Sequence, residues 1–259
     1  MSPANTATTT GTASRIWAIA GAESRRIFVS PLVWAVLAVL QVILGFVFAN
    51  LVEDYLRNSM LGQHYQGVSD FMTGGLFGFA NVLYLLVMPL MTMRLFAEER
   101  KNRSLPLLLS SPVSLIELVI GKYLGLMSFM LAAVALLAIM PLSLLSGSDL
   151  DLGRIAAGLL GVLLMMMAFG AAGLFVSTLT REPTVAAVVS FGLLLLLWLL
   201  QMLGYRDFPY AAAFGYLSLI GHFDNLRRGL VVSSDVIYYL LFTVVFLWLA
   251  VQRLDMERG

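Results

Sequence analysis

Apolar residues in this chain run in long uninterrupted stretches, without the alternation that marks half-buried strands or surface helices. A helix needs about 20 consecutive apolar residues to cross the hydrocarbon core of a bilayer. Charge-free runs of that order predict six spans, at about residues 31–52, 72–93, 123–147, 155–180, 183–205 and 236–252, the last of them short and ending against Arg253. The polar side chains within the spans, notably Gln41, Asn81 and Gln201, are neutral and are expected to hydrogen-bond between helices. Small residues such as Ala157, Gly161, Gly173 and Ser177 allow close helix approach, either within the chain or toward a twin.

Two segments break this pattern. Residues 14–30 precede the first span. At 100° per residue Arg15, Arg25 and Arg26 share one arc, while Ile16, Trp17, Ala20, Ile27 and Phe28 share the opposite one. That is the pattern of an amphipathic interfacial helix anchored by Arg15, Trp17, Arg25 and Arg26, weakened by Glu23 on the edge of the apolar arc. Ser30 and Pro31 favour a break before the first span, since Ser caps helices and Pro suits a first turn; the alternative is a frayed extension of that span. Residues 206–235 are too long for a turn, and their apolar stretch 211–220 is too short to span, so they read as a re-entrant or interfacial segment ending in the polar stretch HFDNLRRG. Residues 1–13, rich in Thr, Ser and Ala, carry no basic start and no following apolar core, and read as a disordered cytoplasmic tail.

Composition agrees with a lipid environment. Of 259 residues 60% are hydrophobic and 12% charged, against roughly 25% charged in a soluble domain, and mean hydropathy is +0.90. The net charge of +1 offers no basic patch for nucleic acid. Cysteine is absent, which removes disulfides, thiolate metal sites and a cysteine nucleophile. Two histidines, His64 and His222, are too few for a closed metal site and read as ordinary interfacial residues.

The position of the charges says more than their sum. With both termini on one side, that side holds Arg15, Arg25, Arg26, Arg94, Arg100, Lys101, Arg103, Lys122, Arg181, Arg253 and Arg258; the other holds Arg57, Arg154, Arg206, Arg227 and Arg228 among eight acidic residues. The excess of Lys and Arg marks the side of the termini as cytoplasmic. No titratable group is expected at membrane depth, which disfavours ion coupling. Nor does Gly121-Lys122 belong to a phosphate-binding loop, since Ile116 stands where the first glycine is needed and Tyr123 follows the lysine. Energy is therefore expected from a partner.

The connection 93–125, MRLFAEERKNRSLPLLLSSPVSLIELVIGKYLG, holds a dense charged cluster, a short apolar run bent by Pro106, and a helix restart. Either Ser111 caps that restart with Pro112 following, or Ser114 caps it with Glu117 in a capping box. Glu98-Glu99 with Arg103 also matches the paired-carboxylate element of CAAX-type intramembrane proteases, but such a site needs histidines, and both histidines are expected across the membrane.

Arg94, Phe96, Glu98, Glu99, Arg100, Leu107, Leu108, Leu109, Ser111, Pro112, Ser114, Gly121 and Lys122 together resemble the signature of ABC-2 type permeases. The stretches 173–189 and 222–242 are similar to later parts of that family, the second to its gliding-motility-type subgroup. The resemblance implies an all-α integral membrane protein with the ABC-2 (type V) exporter fold: six transmembrane helices, an N-terminal interfacial elbow helix at residues 14–30, and a transmembrane domain over 31–259. It implies a subunit with no catalytic, cofactor or metal site of its own, in the bacterial inner membrane. Two copies, forming a homodimer, would work with two separate ATPase subunits that bind ATP and Mg, and an auxiliary outer-side protein could join them. The coupling region 94–117 would dock on the ATPase through Arg94, Glu98, Glu99, Arg100, Arg103, Leu107, Leu108, Ser111, Pro112 and Glu117, with Arg181 in a second, smaller contact. ATP hydrolysis would drive export of a hydrophobic or amphipathic substrate, or mechanical transmission across the membrane.

Overall fold

The computed structural model describes residues 11–60, 67–103, 113–147, 150–204 and 215–258. Every regular element among them is helical: α1 (Thr12–Val29), α2 (Pro31–Met60), α3 (Val68–Phe71), a π-helical turn (Met72–Phe77), α4 (Gly78–Thr92), α5 (Ala97–Lys101), α6 (Leu115–Leu142), α7 (Leu152–Leu179), α8 (Pro183–Gly204), α9 (Leu219–Arg227) and α10 (Ser233–Arg258). Six segments are long and apolar enough to cross a membrane: Pro31–Asn58, Val68–Lys101, Leu115–Leu145, Leu152–Leu179, Pro183–Met202 and Ser233–Glu257. An even number of crossings places both chain ends at one end of the bundle, called the terminal end below.

Helix α7 is the centre. It touches α4, α6, α8, α9 and α10, and most of its residues are buried, whereas α2 and α8 leave most of theirs outside. An apolar helix whose side chains stay uncovered is lipid-facing; one apolar all round and covered is a bundle core. Lipid tails are as apolar as Leu, so burial alone does not hold the helices together, and close backbone approach has to. The small residues of α7 meet this chain's own helices: a Cβ at Gly161 would lie 2.9 Å from Leu226 Cβ of α9, Gly173 faces Thr92 of α4, and Ala157 and Ser177 are buried.

Several boundaries extend past the charge-free runs. Helix α6 starts at Leu115, two turns before the expected span at 123, because Ser114 and Glu117 close the capping box: the Glu117 amide donates to Ser114 Oγ at 3.1 Å and the Ser114 amide to Glu117 Oε2 at 2.9 Å. It then runs through Lys122, whose charge is neutralised inside the protein. Helix α2 continues beyond residue 52 through Glu53, Asp54 and Arg57. The second crossing begins with α3 and the π turn, where Gly75 lies against Leu51 of α2 with no room for a side chain.

Helix α1 ends at Val29 and α2 begins at Pro31, with Ser30 extended between them. One face of α1 packs along α6. Gly121 and Gly125 make the notch that receives it, since a Cβ at Gly121 would sit 2.7 Å from Ile19 and one at Gly125 would sit 2.6 Å from Glu23 Cβ. Ser24 donates to Ser128 across the same seam at 2.9 Å. Glu23, a flaw on the helical wheel, is thus a docking residue.

Candidate functional site

At the terminal end, Leu95, Phe96 and Ala97 are fully buried and fasten the short helix α5 to the core. The four residues that follow each reach a different part of the chain. Glu98 accepts from Arg26 of α1 at 2.7 Å, and Glu99 accepts from Lys122 of α6 at 2.6 Å. Arg100 pairs with Glu257 near the end of α10 at 2.8 Å. Lys101 donates to Glu182, in the turn between α7 and α8, at 2.9 Å. Consecutive helical residues point about 100° apart, so four in a row radiate to four neighbours.

These ties differ in weight. Lys101 and Glu182 are each 54% exposed, and a pair so open to water contributes about 0–1 kcal/mol. Lys122 is 3% exposed and also holds Glu23 at 3.2 Å, with its ammonium 5.2 Å from the Phe96 ring centroid. Removing one member of such a buried pair costs on the order of 3–5 kcal/mol, because the remaining charge stays desolvated. The Lys122 cluster therefore holds the node, and the exposed pairs orient it.

Of the coupling residues expected from the sequence, Glu98, Glu99 and Arg100 are engaged within the chain. Glu117 is buried in the α6 cap, 3.8 Å from Arg15. Arg94, Arg103 and Arg181 are exposed. Arg103, just past the end of α5, has φ 56°, in the left-handed region. Leu107, Leu108, Ser111 and Pro112 lie outside the described residues, as does His64. Among the interfacial anchors Trp17 is 69% exposed and Arg25 also faces outward, while Arg15 and Arg26 turn to protein carboxylates.

The opposite end corrects two expectations. His222 is no ordinary interfacial residue: it is buried, 2.7 Å from Asp235 through Nδ1 and 2.9 Å from the Tyr216 carbonyl through Nε2, and it stacks on Tyr238 with centroids 4.0 Å apart. Asn225 donates to the second Asp235 oxygen at 2.9 Å. Most of the polar stretch that ends the expected re-entrant or interfacial segment lies in the helix α9, capped by Ser218 and packed against α7, α8 and α10. Arg227 of α9 pairs with Asp224 at 2.9 Å and donates to the Gly74 carbonyl of the π turn at 3.3 Å, while Arg154 of α7 pairs with Asp70. Arg227 thus ties α9 to the π turn.

The second correction concerns Asn81. Gln41 does bond between helices, donating to the Leu136 carbonyl at 3.1 Å. Asn81 is 3% exposed and neither amide atom has a hydrogen-bond partner. It lines a cavity of about 180 Å³ together with Gly78, Met165, Trp198, Ile220, Phe223, Asp224 and Arg227. A single neutral residue in an apolar run gave no sign of this, because the cavity forms only where four helices meet.

A bundle of six crossing helices with a charged node at one end defines a multi-pass membrane protein. The family model described as ABC-2 family transporter protein matches residues 17–256, and the chain belongs to that family. It is thus a permease subunit of an ABC transporter, of a kind that lacks its own nucleotide site and works with an ABC ATPase. No curated protein matches the chain.

Proposed function

We propose that two copies of this chain form a homodimeric permease in a bacterial cytoplasmic membrane, with both termini inside, and that two separate ATPase subunits carrying ATP and Mg drive it. The ATPase docks on the connection that follows α5, with Arg94, Arg103 and Arg181 free to meet it. The observation that supports this reading most is the node at residues 98–101, whose ion pairs reach α1, α6, α10 and the α7–α8 turn at once. A push on the connection is shared by four elements in one step. The excess of Lys and Arg at the terminal end supports the orientation. Trp17 and Arg25, exposed on α1, suit a helix lying at the headgroup level.

The transported molecule is hydrophobic or amphipathic, in keeping with spans that carry few polar groups; transmission of ATPase motion to an outer-side membrane protein, as the similarity to the gliding-motility-type subgroup suggests, uses the same coupling. Co-purification with the separately encoded ATPase tests the proposal. Stimulated ATP hydrolysis in the complex is expected, and Arg103→Ala should weaken association without changing the thermal stability of the permease. Two proteins that never associate would overturn it.

A further inference from the structure

The cavity around Asn81 sits in the interior of one protomer, between α4, α7, α8 and α9. Asn81 falls near the middle of the charge-free run 72–93, at a depth where lipid supplies no hydrogen bonds and an unsatisfied amide is costly. Its side chain offers two donors and an acceptor, all unused. The volume would hold about six waters at liquid density, which is also the scale of one sugar ring.

The walls define what fits. Among the described residues, Asp224 and Arg227 are the charged ones in the lining, and they pair at 2.9 Å, so the described walls carry no net charge. A charged head would have to compete with that half-buried pair for one of its members. Trp198 and Phe223 bring aromatic surface, and Ile220 and Met165 apolar contact. Gly78, Trp198, Ile220, Asp224 and Arg227 are only half-buried, whereas Asn81, Met165 and Phe223 are buried, so the mouth is bounded by α4, α8 and α9, with α8 on its lipid-facing flank.

We propose that this cavity binds the uncharged, hydroxyl-bearing head of an amphiphile, such as the sugar of a glycolipid, entering sideways from the membrane with its tail left among the lipids. Asn81 pairs with neighbouring hydroxyls as donor and acceptor, and Trp198 lies against the apolar face of the ring. Naming this class of substrate rests on the permease reading above; the binding site does not, since it is complete within one chain.

Two variants test it differently. Asn81→Leu keeps the size of the side chain and removes its hydrogen bonds. Gly78→Leu fills the cavity and leaves Asn81 intact; a Cβ at Gly78 meets nothing within 4 Å, so the helix tolerates it. With Trp17, Trp34 and Trp248 changed to Phe, Trp198 is the sole tryptophan, and its fluorescence in lipid nanodiscs reports occupancy. The probes are decyl glucoside, decyl sulfate and decyl trimethylammonium, below their micelle-forming concentrations. A saturable change with decyl glucoside is expected, about tenfold or more weaker with either charged head and weakened by a similar factor in both variants. A preference for a charged head overturns the ligand class. A response independent of head and variant is partition into lipid, and no saturable response means a cavity filled by water only; either result overturns the site. Loss of ATPase coupling with binding intact overturns the permease reading and leaves the site standing.

Discussion

Replacing Lys122 by Met removes the cation at the centre of the α5 node while keeping an unbranched side chain of similar length. Glu99 and Glu23 then face Arg26, at 3.8 and 3.6 Å, in place of Lys122 at 2.6 and 3.2 Å. Losing one partner of a buried pair costs on the order of 3–5 kcal/mol. The retained Arg26, itself 43% exposed, places the expected loss at the lower end, about 3 kcal/mol. On the scale of a soluble domain this long, that lowers the unfolding midpoint by roughly 6–12 °C. The decisive comparison is the triple variant Lys122→Met, Glu23→Gln, Glu99→Gln, in which no uncompensated charge remains. It should recover most of the loss, because neutral isosteres avoid the desolvation cost. Thermal unfolding of the three proteins in the same detergent, followed by circular dichroism, measures both effects. A single variant within about 1 kcal/mol of the parent, or a triple variant no better than the single, would refute the argument that buried charge holds this node.

Three further outcomes follow from the same structure, and the absence of native cysteine makes thiol labelling a clean readout. Gly125→Val forces α1 away from α6, since even a Cβ would come within 2.6 Å of Glu23 Cβ; a loss of about 1–3 kcal/mol in thermal or chemical unfolding is expected, and an unchanged midpoint would show that the seam is not close-packed. His222→Phe takes one partner from Asp235 and frees the Tyr216 carbonyl, so a buried cysteine at Leu219 should react with a thiol reagent faster in that variant than in the parent, and equal rates would count against the His222 clamp. Single cysteines at the exposed positions Asn102 and Arg228 should be labelled by an impermeant reagent from opposite sides of the membrane; labelling from one side would overturn the crossing pattern.

The six crossings could be read from the chain because lipid demands about 20 apolar residues at each one, and that demand leaves a mark no tertiary contact is needed to explain. What escaped notice depends on partners distant in sequence. Lys122 looked like the edge of a span because an isolated ammonium belongs in water, yet Glu23 and Glu99 let α6 continue through it. The helical wheel counted Glu23 against α1, since a wheel shows one helix and its neighbour here is 99 residues away. The residues HFDNLR read only as a polar stretch because a sequence does not show which groups meet in space; His222 and Asn225 find Asp235, and Arg227 finds the π turn. The candidate coupling residues were given one role, docking, where Glu98, Glu99 and Arg100 turn to partners within the chain.

Helix α5 has five residues, far fewer than the roughly 12–15 an isolated helix needs to persist in water. Its coil-to-helix balance is therefore set by the elements around it. If α1 or α6 drifts out of register, α5 loses the buried Lys122 tether and begins to melt. Such a segment reports the seam between those two helices: it is folded only while they agree. An ATPase that recognises folded α5 would then sense the packing of that seam, and by reciprocity its own binding would favour it.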